Sequence, residues 1–179
     1  VTPLPVAHLA KRFVWSLWPG PPASLDESWA QARLSPSELT IWDRMSNPDR
    51  RHAVAVARAV ERALDGVLDD GAGDAVVTAA LLHDCGKVVS GLGTLARVGA
   101  TLVWAALDDD VAGGWLDSPV AIKRRLVEYR RHPELGAVLL AAADADPLVV
   151  AWAAEHHLPP AGWTVEPRYA SILKACDDD

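Results

Sequence analysis

Thiols are scarce: Cys85 and Cys176 are the only two cysteines, and they form no CxxC pair. A disulfide framework is excluded, and a reducing, cytoplasmic setting is expected. Positive charge is also short, with 17 Lys and Arg against 24 Asp and Glu, a net charge of −7. Coating a nucleic-acid backbone needs a basic stripe that displaces counterions, so a nucleic-acid polymer is excluded as partner. A local basic patch could still oppose a small phosphorylated ligand. Alternating strand patterns are nearly absent, and there is no GxSxG elbow, phosphate-binding Walker loop or dinucleotide fingerprint. Long apolar runs are missing too. The nearest, residues 91–107, carries only Arg97 but is broken by three glycines. It lies at the short edge of what spans a bilayer, so a buried or surface-lying segment is expected and no transmembrane span. The N-terminus has no basic region leading into a long apolar run, so no secretory signal is expected.

What is present is 179 residues, half of them hydrophobic and mostly Ala, Val and Leu, enough for one domain with a real core. Residues 1–44 are broken by Pro3, Pro5 and the run Pro19-Gly20-Pro21-Pro22. They read as an N-terminal arm with a short amphipathic helix at 8–18, which places Leu9, Phe13 and Trp18 beside Lys11 and Arg12. That piece either packs on the domain or makes a peripheral membrane or partner contact. Residues 45–179 read as an all-α unit of about six to eight helices. Asn47 as N-cap with Pro48 starts one that can run to Gly66. Asp74 caps a second over 75–85, closed by Gly86 in the left-handed terminator position. A Gly-rich variable stretch, 88–118, separates these from a basic helix over 119–131. Pro133, Asp146-Pro147 and Pro167 open the remaining helices.

The chemistry lies in what occupies the apolar stripes. Val76, Ala80 and His83 fall at i, i+4 and i+7, as do Val77, Leu81 and Asp84. His52 sits one turn before Val56. His156 and His157 continue the stripes begun by Val149 and Val150, Asp177 continues Tyr169 and Leu173, and His132 directly precedes Pro133. A carboxylate buried alone costs several kcal/mol or takes up a proton. Imidazoles and carboxylates buried together need a closed hydrogen-bond network or a common cation. Histidine nitrogen with Asp oxygen suits a divalent Mn, Fe, Zn, Ni or Mg ion. Each residue also has a plainer reading: the histidines as hydrogen-bonded core residues, Asp177 as part of an acidic tail, and Lys87 as a cation at a helix C-terminus. The run Lys123, Arg124, Arg125, Arg130 and Arg131 can be a solvated helix face.

His52, then Leu82-His83-Asp84-Cys85-Gly86-Lys87, then Asp177 resemble the H…HD…D signature of the HD superfamily of metal-dependent phosphohydrolases. The fuller set, with His132-Pro133-Glu134-Leu135-Gly136 and Glu155-His156-His157, is similar to the HD-GYP branch without its GYP motif. The resemblance implies a helical bundle with one metal held by His52, His83, Asp84 and Asp177. It implies that Asp84 bridges to a second metal at His132 and His156, with His157 as a further ligand. Pro48 stands where trinuclear relatives carry a Glu, so one or two ions are implied. Asp84 and Lys87 become the catalytic residues, with Lys87 facing the substrate phosphate; Arg51, next to His52, and Arg130-Arg131, next to His132, are further candidates for substrate binding by their place beside the ligands. The implied reaction is hydrolysis of a phosphoester, in a nucleotide or another small phosphorylated metabolite, by a metal-activated water. The alternative is a degenerate HD module that binds nucleotide or metal as a sensor.

Overall fold

The structure, a computed structural model, describes residues 20–64, 72–93, 96–97, 99–100, 103–104 and 114–178. All regular structure among the described residues is helical. The helices are α1 (Ser24–Gln31), α2 (Pro36–Trp42), α3 (Asn47–Leu64), α4 (Gly73–Leu82) and the single turn α5 (Lys87–Ser90). They continue with α6 (Ala121–Arg130), α7 (His132–Ala142), α8 (Pro147–Glu155), a 3-10 turn at Pro160–Gly162, and α9 (Pro167–Asp178). Setting the single turn aside, the eight longer helices among the described residues agree with the all-α expectation. The expected helix at 8–18 lies outside the described residues, as do 65–71 and much of the 88–118 stretch.

Helix α4 is the axis of the bundle. It is apolar all round, which is how a helix covered on every side reads, and every residue from Val76 to Leu82 is buried. It packs against α3, α8 and α9. Leu81 and Leu82 have no exposed surface, and each such side chain contributes roughly 1.5–3 kcal/mol of burial. Helix α3 presents the expected stripe of Ala53, Val56, Val60 and Leu64 to this axis. Ala30, Ile41 and Trp42, from α1 and α2, join the same core. The fully buried Trp42 donates its indole N–H to Glu27 Oε1 at 2.7 Å, which removes the cost of burying that polar group. Among the described residues no helix is long and apolar enough to cross a membrane.

Local punctuation sets where the helices begin. Asp146 accepts from the Leu148 N–H at 2.8 Å with Pro147 in the first turn, as expected. Ser35 and Glu38 form a reciprocal capping box on α2. At α3 the expected cap shifts by one residue: Asn47 is already helical, and the Ser46 hydroxyl accepts from the Asp49 N–H at 3.4 Å.

Gly86 overturns a second expectation. Its φ of −63° and ψ of −18° are right-handed, and α4 stops at Leu82. The chain turns tightly through 83–86 and re-enters helix at Lys87, and the left-handed terminator is Gly91, with φ 59°, one element later. Lys87 therefore opens a helix instead of closing one. Glycine is needed at 86 for space: a Cβ there would lie 1.9 Å from the His132 carbonyl oxygen and 2.5 Å from the Gly136 nitrogen.

Candidate metal centre

Helix ends converge at one end of the bundle. The first half of α3 brings His52, the turn after α4 brings His83 and Asp84, and the last turn of α9 brings Asp177. The start of α7 brings His132, and the turn after α8 brings His156 and His157. His83, Asp84, His132, His156 and Asp177 are buried, His52 is half-buried, and His157 lies exposed at the rim.

These side chains form two groups. Ligand atoms of His52, His83 and Asp177 all lie within 4.8 Å of one another, and so do those of His132, His156 and His157. In the first group His52 Nε2 is 2.9 Å from Asp177 Oδ1, and His83 Nε2 is 3.6 Å from the same oxygen. In the second, the His132 and His157 Nε2 atoms are 3.3 Å apart. Asp84 lies between the groups. Its Oδ2 faces His83 Nε2 at 3.5 Å, and its Oδ1 faces His132 Nε2 at 3.2 Å and His156 Nε2 at 3.7 Å.

Three of the histidines are held in the same way. Nδ1 of His83, His132 and His156 meets the carbonyl oxygen three residues earlier, at Ala80, Tyr129 and Ala153, at 2.8, 2.8 and 2.9 Å. A carbonyl only accepts, so Nδ1 carries a proton and Nε2 is the nitrogen that faces inward, with a lone pair to offer whenever the ring is neutral. Donation of the outer N–H to a backbone carbonyl is how metal-binding histidines are commonly oriented. Nε2 of His156 is buried with no hydrogen-bond partner. Leaving such an atom unsatisfied costs about 1–3 kcal/mol, a cost that coordination would remove. The orphaned nitrogen and the oxygen–nitrogen donor set both fit a divalent cation.

Electrostatics keep the site charged. Burial alone would lower the His83 pKa, but the Asp84 and Asp177 carboxylates outweigh it and push the group up to about 9. Burial would raise both carboxyls, yet Lys87 and His83 hold Asp84 well below its usual range, and His83 and His52 do the same for Asp177. His156 is driven down by burial and by His83, so it stays neutral. Lys87 bonds through Nζ to Asp84 Oδ2, and although burial opposes its charge, Asp84 and Asp49 hold it cationic.

The other cations expected to face a phosphate each have a partner within the protein. Arg51 is buried and donates to the Gly20 carbonyl. Arg130 stacks its guanidinium 4.8 Å from the Trp104 ring, and Arg131 pairs with Glu134 at 2.6 Å. A shallow open groove between α7 and α8, lined by Ala137, Ala141, Val150 and Ala154, contains none of the cluster.

Two residues take supporting roles that the sequence did not assign to them. Asp49 accepts from Ser46 at 2.6 Å and from Arg97 at 2.7 Å, which ties the segment after α5 to the first turn of α3. Glu155 is buried and accepts the Thr164 N–H at 2.7 Å, the Thr164 hydroxyl, and the Val165 N–H at 3.2 Å. It clamps the loop that carries His156 and His157, whereas the carbonyl anchors were readable in principle as the i−3 position on each terminal helical turn. A family model described as HD domain matches residues 50–178. No curated protein and no solved structure matches the chain.

Proposed function

The chain belongs to the HD-domain family, and from that premise we propose that it hydrolyses a phosphoester in a nucleotide or another small phosphorylated metabolite. The family is of the metal-dependent phosphohydrolase type, which accounts for the chemistry but leaves this chain's substrate open to assignment. The observation that carries the reading is the pair of three-ligand groups with Asp84 between them. It supports two ions: His52, His83 and Asp177 would hold one and His132, His156 and His157 the other, with Asp84 placed to serve both. That arrangement also favours the HD-GYP-like relatives within the superfamily. Divalent cations so held would lower the pKa of a water nucleophile and offer positive charge to the phosphoryl oxygens.

The chain's own residues do the rest. Asp84, ionised and buried, holds the two halves in register. Lys87 keeps a fixed ammonium against Asp84 Oδ2; preorganised charge in a site shielded from water stabilises the phosphoryl group far better than charge in solution. Substrate approaches from the edge where His157 is exposed and His52 keeps 26% of its side-chain surface.

A metal- or nucleotide-binding sensor is the second reading. It is favoured by the engagement of Lys87 with Asp84, Arg51 with Gly20 and Arg131 with Glu134, which spends these cations inside the protein. A panel of phosphomonoesters and phosphodiesters, run with Mn, Fe, Ni, Zn and Mg, separates the two. Turnover that chelator abolishes supports the hydrolase. Bound metal or nucleotide without turnover supports the sensor, and protein that binds neither and does not turn over overturns both.

A further inference from the structure

His132 differs from the other carbonyl-anchored histidines. His83 and His156 directly follow the last turns of α4 and α8, and their anchors belong to Ala80 and Ala153. His132 instead follows Arg131, which separates α6 from α7 at φ −87° and ψ 15°, so no continuous helix fixes its ring. Its anchor belongs to Tyr129, whose ring also stacks on it with centroids 5.8 Å apart and planes 29° apart. Tyr129 is thus the only aromatic among the three anchors. Four residues after Tyr129 stands Pro133, where a helix would place the regular N–H donor to the Tyr129 carbonyl. Proline has no N–H.

We propose that Tyr129 and Pro133 are a positioning pair for His132. The proline withholds the i+4 backbone donor, leaving the Tyr129 carbonyl to the Arg131 N–H of the helix cap and to His132, and carbonyl and ring together aim His132 Nε2 at Asp84 Oδ1. The tyrosine acts twice, through an atom that any residue would supply and through a ring that Ala80 and Ala153 lack. Side chain and backbone can therefore be tested separately. The consequence for the second ion rests on reading His132, His156 and His157 as its ligands.

The test uses the full chain with Tyr129→Phe, Tyr129→Leu and Pro133→Ala. Mn binding is titrated to stoichiometry, and long-range nitrogen spectra of histidine-labelled, metal-free protein report which ring nitrogen of His132 carries the proton. Partners of this kind typically change metal affinity ten- to a hundredfold. Tyr129→Phe keeps the ring and is expected to hold two ions within about twofold of wild-type affinity. Tyr129→Leu is expected to weaken the second ion about tenfold or more while the first is unchanged. Pro133→Ala restores the competing donor, and is expected to give a mixed His132 tautomer together with a weaker second ion. Alanine is a good helix former, so this variant stays folded. Wild-type affinities and a single Nδ1-protonated tautomer in both Tyr129→Leu and Pro133→Ala would overturn the positioning pair. A wild type that never takes up a second ion would overturn the two-ion reading instead, and the tautomer spectra would still decide the positioning pair.

Discussion

Adding one methyl group at Gly86 should separate the two halves of the site. The new Cβ would stand 1.9 Å from the His132 oxygen, 2.5 Å from the Gly136 nitrogen and 2.9 Å from the His132 carbonyl carbon, all backbone atoms. Cβ contacts below 3.0 Å essentially never occur, so the start of α7 must retreat from the 83–86 turn by about 1 Å. The backbone at 86 is already right-handed helical, where alanine is at ease. Helix propensity alone would therefore make Gly86→Ala stabilising by roughly 0.5–1 kcal/mol. Overpacking opposes this at typically about 1–3 kcal/mol, and a net loss of stability is expected. The 3.2 Å between His132 Nε2 and Asp84 Oδ1 would open towards about 4 Å. The first group, on α3, the 83–86 turn and α9, is not displaced. Thermal melts and elemental analysis should show reduced stability and one retained ion. The second ion should weaken about ten- to a hundredfold, and turnover should fall about 10²-fold, as misplacement by 1 Å can cause. Gly136→Ala should be milder, because its Cβ would meet Gly86 N at 3.1 Å and the Cys85 sulfur at 3.3 Å. Wild-type stability with two tightly held ions in Gly86→Ala would refute the close-approach reasoning.

Four further outcomes follow from the same geometry. His83, up at about 9, must lose a proton to bind metal, so apparent affinity for the first ion should rise about tenfold per pH unit from 6.5 to 8.5. A pH-independent titration would contradict the proton competition. In metal-free protein the raised pKa contributes stability that is fully present below 6.5 and lost as pH climbs through 9, about 3 kcal/mol by linkage. Denaturant melts across that window should show the decline. Cys85 is buried and pushed up to about 12 by that burial, whereas Cys176 is partly exposed; thiol titration of native protein should count one fast thiol, and two after denaturation. Glu155→Ala strands the Thr164 and Val165 N–H groups, and should cost about 1–3 kcal/mol and weaken the ion at His156 before the one at His52.

Much of the site was legible because its residues interrupt apolar helical stripes. The spacing that put His83, Asp84 and Asp177 on buried faces requires only a period of 3.6 residues, and the structure buries all three. Asp146 before Pro147 likewise marked the start of α8, and Pro167 that of α9, since those signals act within one turn. What stayed hidden depends on segments far apart in sequence. Gly86 looked like a helix terminator because its partners, His132 and Gly136, lie about fifty residues on. Lys87 looked like a C-terminal cation because the tight turn that restarts the helix is set by that same contact. Arg51 sits beside His52 in sequence, but one residue along a helix turns a side chain by about 100°, and its bond to the Gly20 carbonyl joins segments thirty-one residues apart. Glu155 resembled part of the histidine motif, yet its bonds go to Thr164 and Val165, which only the folded loop brings within reach.

Metal content of the purified protein, wild type beside Asp84→Ala, bears most directly on the shared-carboxylate centre. About two divalent ions per chain in wild type, with most of both lost in Asp84→Ala, is the expected result, because Asp84 faces both groups. An unchanged metal content in Asp84→Ala, or no uptake by wild type even with Mn added, would contradict it.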